Sequence, residues 1–144
     1  MFNKLLKKYA KNEKGLTLIE LLVVIVILGI IAAIAVVSIG GIIGNTKDKA
    51  KVTEAVQIIN AAKLKHSTDG VYPPGGWDYT SSSTDTNGLN DYVSSLKDKV
   101  WTVTWDSATK AYSLTGHDGA KIVKSSYTDT SVVPESEYTD YLDK

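Results

Sequence analysis

The sequence predicts an α+β fold, in which one long N-terminal α-helix, transmembrane in its first part and amphipathic in its second, packs on a small antiparallel β-meander. Three observations predict it. An unbroken apolar run begins at Leu21, and a stripe of apolar residues at helical spacing follows it. No proline interrupts residues 16–70. Beyond them the sequence changes to short segments of alternating β-branched and aromatic residues separated by turn residues. At 144 residues there is room for one modest domain and little more.

The apolar run carries the first part of the helix. From Leu21 to Val37, 17 residues lack a polar side chain, and the uncharged stretch extends to Gly44, 24 residues in all. About 20 such residues span a bilayer. A secretory signal has a shorter apolar core and a small-residue cleavage site after it, whereas Ala32, Ala33 and Ala35 lie inside this run. The leader before it, residues 1–15, holds five Lys against one acid, Glu13, and the rest holds 11 Lys against 15 acids. That asymmetry orients the leader to the cytoplasm and the C-terminal part outside. On hydropathy alone the plain reading is an uncleaved signal anchor.

The helix is expected to continue past the run. Val52, Ala55, Val56, Ile59 and Ala62 form the i, i+3, i+4, i+7 stripe of a helix with one buried face, while Asp48, Lys49, Lys51, Glu54, Gln57, Asn60 and Lys63 occupy the rest. A helix over about 16–68 would be roughly 80 Å long at 1.5 Å per residue. Gly29, Gly40, Gly41 and Gly44 weaken it, each by about 1 kcal/mol relative to Ala. They read as points of helix flexibility or local unwinding; the alternative is close helix packing through Gly40-x-x-x-Gly44. Asp69-Gly70 ends the helix.

The following stretch, YPPGGWDYTSSSTDTNG, reads as a loop, and Leu89, Tyr92, Val93 and Leu96 suit a short helix. Residues 100–105, 110–115 and 120–125 are expected to be three strands joined by the turns DSAT and GHDG. The stripe of residues 52–62 is the cover this sheet requires. The acidic, Tyr-rich tail is left open between a strap along the sheet edge and a mobile end.

Little in the sequence points to catalysis. His66 reads as a surface or capping residue and His117 as part of a turn. No nucleophile elbow, zinc-protease or phosphate-loop spacing occurs. Asp78, Asp85, Asp91, Asp106, Asp118 and Asp129 lack calcium-loop spacing, so no metal site and no cofactor are expected. Trp77, Trp101 and Trp105 suit core or edge packing better than a sugar platform. Every basic residue is Lys and the exported part is acidic, so no direct nucleic-acid contact is expected. Cysteine is absent, so the exported part must be stable without disulfides.

One residue conflicts with a plain anchor. Glu20 carries a carboxylate into the apolar run, where such a group requires a partner. If the leader is removed after Gly15, a new α-amino group on Leu16 lies one turn from Glu20. In a stack of parallel helices, Glu20 of one subunit could meet that amine on a neighbour, and a slipped register would leave both charges unpaired.

The basic leader, Gly15, the Leu16-Thr17-Leu18-Ile19-Glu20 start and the long apolar helix with Gly29 resemble the type IV filament proteins, the type IV pilins and pseudopilins. The resemblance covers about residues 1–60. It implies a pilin-like fold organised as a cleaved leader (1–15), a transmembrane and filament-core helix (16–44), an amphipathic continuation (45–68) and a globular head (69–144). It also implies that a prepilin peptidase cuts between Gly15 and Leu16 and N-methylates Leu16. Glu20, with Thr17, would dock subunits. The implied partners are further copies of the chain in a helical filament, an inner-membrane assembly platform and a cytoplasmic assembly ATPase. The precursor would be a single-pass protein of the cytoplasmic membrane, and the product an extracellular filament. Two departures stand out: Leu16 replaces the usual Phe, and Val37 stands where many pilins carry a helix-kinking proline.

The function implied is structural, not enzymatic: a pilus subunit serving adhesion, motility or colonisation. One alternative is a pseudopilin of a type II secretion or competence (DNA-uptake) system, whose Tyr-Pro and Gly-Leu loop is loosely similar to Tyr72-Pro73 and Gly88-Leu89 here. The second is a signal-anchored extracellular protein binding a glycan through its tryptophans.

Overall fold

A computed structural model describes residues 17–79 and 87–144. The leader, Gly15, Leu16 and Asp85 lie outside the described residues. The chain divides into two units, Met1–Ile43 and Gly44–Lys144. Helix α1, Leu18–Asp69, begins in the first and ends in the second.

In the first unit the described residues are the N-terminal part of α1. Its large apolar side chains are exposed on every side, from 47% at Ile43 to 83% at Leu18. The helix is long and apolar enough to cross a membrane. Backbone hydrogen bonding continues through Gly29, Gly40, Gly41 and Gly44, and a Cβ at any of them would meet nothing within 4 Å.

The second unit is the α+β head. Here α1 buries Val52, Ala55, Ile58, Ile59, Ala61 and Ala62. Gly70, at φ +68°, closes the helix by donating its N–H to the His66 carbonyl at 2.9 Å, a left-handed cap that glycine adopts without a Cβ clash. The buried face packs on a four-stranded antiparallel meander of order β1-β2-β3-β4. Its strands are β1 Trp77–Tyr79, β2 Trp101–Asp106, β3 Ala111–Thr115 and β4 Val133–Pro134. One row of the register, Trp77–Val103–Leu114–Val133, crosses all four strands, and each member is at most 1% exposed. Trp101, Leu89, Ala120 and Tyr138 complete the core.

The β2–β3 hairpin forms where the alternation predicts it. Asp106 closes its turn by accepting the Ala108 N–H and the Thr109 hydroxyl, both at 2.8 Å. Three expectations for the head need correction. The short helix near Leu89 is a single 3-10 turn, Leu89–Asp91. Residues 120–125 are not a strand: Gly119–Val123 form a one-turn helix, α2, so GHDG makes no second hairpin. The place beside β3 goes to β4 from the tail, which then forms helix α3, Glu135–Leu142, with Tyr138 buried. The loop reading of residues 72–88 missed β1. Gly76 explains how so short a strand docks: at φ +91° its position would put a Cβ 2.2 Å from the Val103 carbonyl oxygen. Both sheet edges are short, and β4 ends in proline, which suits an edge that must not recruit further strands.

Candidate functional site

The site begins where α1 begins. Thr17 is the residue before the first helical position, and its hydroxyl and backbone both engage Glu20. Glu20 Oε2 accepts the Thr17 N–H at 2.8 Å and the Thr17 hydroxyl at 2.7 Å. The Glu20 N–H in turn points at Thr17 Oγ1, 3.3 Å away. This is a capping box: two donors that the helix cannot satisfy internally are satisfied reciprocally. The Leu21 N–H to the Thr17 carbonyl, at 3.1 Å, then starts the ladder. The Thr-x-x-Glu spacing announcing this cap is plain in the sequence, yet reasoning from the membrane cost of Glu20 alone passes over it.

The arrangement has a chemical consequence. In a single chain one oxygen of the Glu20 carboxylate is already engaged by Thr17, while both residues remain exposed. Ile19, Glu20, Val23 and Val24 line an open cleft of about 380 Å³ on this helix. A carboxylate with an oxygen that no hydrogen bond engages among the described residues, at the start of a helix that is apolar on all sides, can receive a cationic group without unwinding the cap.

A protein-family comparison matches residues 10–36 to the prokaryotic N-terminal methylation motif. The chain carries the signature of the type IV pilin and pseudopilin proteins. No curated protein and no solved structure matches the chain. The pilin-type motif implies processing by prepilin peptidase and filament assembly in general, and with the apolar helix it makes this a membrane-anchored precursor. Proteins of the pilin type are structural rather than catalytic.

The remaining candidates fall in the head. His66 is half-buried, its Nδ1 2.6 Å from the Tyr112 hydroxyl and its ring edge-on to Trp105 at 5.4 Å. It therefore ties the end of α1 to β3 rather than simply capping the helix. Trp77 and Trp101 are core residues, which leaves only the half-buried Trp105, packed against Tyr112 at 4.4 Å, near the surface. The fold thus presents one partly exposed indole, not a platform of three. His117, expected in a turn, is 1% exposed. Burial pushes its pKa below the ordinary histidine value, against the opposing pull of Asp98 and Glu54.

Proposed function

We propose that this chain is the structural subunit of a type IV pilus. Prepilin peptidase would cut after Gly15 and methylate the amine of Leu16, and the mature chains would polymerise through α1 into a surface filament for adhesion, motility or colonisation. The observation that carries this reading is the Thr17–Glu20 cap at the start of an all-round apolar helix. Thr17 holds the carboxylate in place but leaves it charged, so burial among neighbouring helices favours whichever register brings it a cation. The new N-terminus of an adjacent subunit is that cation. Residues 16–44 would then be the filament core, 45–68 the shaft of the head and 69–144 its outer surface. Gly29, Gly40, Gly41 and Gly44 would be where α1 yields on packing, because each lowers helix stability by about 1 kcal/mol relative to Ala. An assembly platform and ATPase in the membrane would supply the work of extrusion.

Mass spectrometry of the N-terminal peptide from a sheared surface fraction tests this. A peptide that starts at Leu16 and carries one added methyl group, found in the shearings, is the expected result. The same peptide confined to membranes would favour a pseudopilin of a secretion or DNA-uptake system. A chain still starting at Met1 in membranes alone would return it to a signal-anchored protein.

A further inference from the structure

His117 sits at the centre of a network that binds three parts of the head together. From α1, the Glu54 carboxylate accepts the backbone N–H groups of Lys97 and Asp98 at 3.1 and 2.9 Å. Asp98 then accepts the N–H of Asp118 at 2.7 Å and that of Val100 at 3.1 Å. Asp118 reaches back to Lys51 Nζ of α1 at 3.3 Å. Lys47 and Lys97 line the same cleft of about 390 Å³ as Lys51, Glu54, Asp98 and His117.

The ring's own bonding defines its protonation state. His117 Nδ1 accepts the Gly119 N–H at 2.9 Å. A nitrogen that accepts carries no proton, so the neutral ring holds its proton on Nε2. Among the described residues that buried Nε2 has no hydrogen-bond partner, and it faces Glu54 Oε1 at 3.5 Å and Asp98 Oδ2 at 4.0 Å. The same logic disfavours a metal at Nε2, since with Nδ1 accepting the ring would have to give up both protons.

We propose that His117 is an acid-operated latch: when neutral its Nδ1 holds the Gly119 N–H where the start of α2 packs on the Lys51 backbone of α1, and when protonated it releases that N–H. A proton from solvent takes the Nδ1 lone pair that the Gly119 N–H now uses. The ring becomes a cation with two N–H donors, and the Gly119 N–H loses its acceptor. Gly119 cannot find water in place, because it is buried against α1, where an added Cβ would lie 3.3 Å from the Lys51 carbonyl oxygen. The first turn of α2 must move away to satisfy it. Glu54 and Asp98 face the ring, and Lys47 and Lys51 from α1, Lys97 from the segment before β2 and Asp118 line the same cleft. The carboxylates favour the cation, but burial outweighs them and keeps the ring neutral. The unfolded or opened chain therefore takes up the proton first as pH falls. The latch contributes fully above about pH 6.5 and is lost progressively below it, toward the ring's lower folded value.

Nitrogen-15 NMR on the full chain in detergent micelles tests this. At pH 7.5 the imidazole shifts should report the Nε2–H tautomer. The protection factor of the Gly119 amide should fall below about pH 6.5, by up to tenfold per pH unit for one proton taken up on opening. In His117→Asn the side-chain oxygen replaces Nδ1 as acceptor but does not titrate, so Gly119 protection should be independent of pH from 7.5 to 5. An Nδ1–H tautomer, a flat wild-type profile, or the same slope in the Asn variant would each overturn the latch. Should the variant fail to fold, the wild-type tautomer and protection profile decide alone.

Discussion

Thr17 and Glu20 cap one another. The carboxylate accepts both the N–H and the hydroxyl of Thr17, and the Glu20 N–H faces the Thr17 oxygen in return. Two roles therefore meet in one side chain: starting α1, and carrying a negative charge into a segment with no other.

The two roles separate by substitution. Glu20→Gln keeps an acceptor for the cap and removes the charge, whereas Thr17→Ala removes the cap and keeps the charge. If charge pairing drives assembly, Glu20→Gln accumulates in membranes with its leader removed and yields no filaments in sheared fractions. Thr17→Ala should speed exchange of the first-turn amides severalfold while filaments still form. Wild-type filament yield from Glu20→Gln would assign the carboxylate to capping alone.

Gly75 and Gly76 make a controlled pair, since both have φ near +90° and only Gly76 lacks room for a Cβ. Gly75→Ala should cost about 1–2 kcal/mol of head stability from backbone strain. Gly76→Ala adds a clash with the Val103 carbonyl and should cost more than about 3 kcal/mol, with β1 detached. Equal costs in chemical denaturation would mean that β1 is not docked through this contact.

The apolar stripe of α1 contains two neighbours of unequal burial. Ile59 is fully buried and Val56 only partly so. Ile59→Ala should destabilise the head by about 2–5 kcal/mol. Val56→Ala should cost about 1 kcal/mol or less. Thermal unfolding read by tryptophan fluorescence distinguishes them, because each kcal/mol moves the midpoint by about 4–8 °C in a domain of this size.

Tyr138 is buried in the core with no hydrogen-bond partner for its hydroxyl among the described residues, and burial holds that hydroxyl protonated well above the usual tyrosine range. Tyr138→Phe removes an unsatisfied group and should be neutral or stabilising by up to about 1 kcal/mol. A loss beyond about 1 kcal/mol would reveal a partner for the hydroxyl.

Acid should weaken the head through His117. Because folding lowers the ring's pKa, the melting temperature should fall as the pH drops from 7.5 to 5.5. His117→Asn should flatten that part of the curve. A wild-type midpoint that rises on acidification would reverse the assigned sign.

Much of this was legible residue by residue. The apolar run, the stripe from Val52 to Ala62, the Asp69-Gly70 stop and the β2–β3 alternation are local patterns, and the elements form where they lie. Two further local signals went unused. Thr17-x-x-Glu20 announces the helix cap, and Tyr138, Tyr141 and Leu142 follow helical spacing just after Pro134, where α3 runs. At His117, polarity suggested a turn, but Gly116 at φ +89° carries the chain off β3 and the ring inward.

By itself the sequence determined the long helix, its change from all-round to one-sided apolarity, the lone acid near its start and the hairpin that the helix covers. Those features rest on spacing along the chain, which a single segment carries whole. Only the tertiary structure decided that three residues at Trp77 and two at Val133 are strands, and that Ile122 and Val123 are not. Strands this short have no period to read. They exist because the row from Trp77 to Val133 must be continuous to cover α1, and the β-branched pair lost its place in that row when Gly119 packed against the Lys51 backbone.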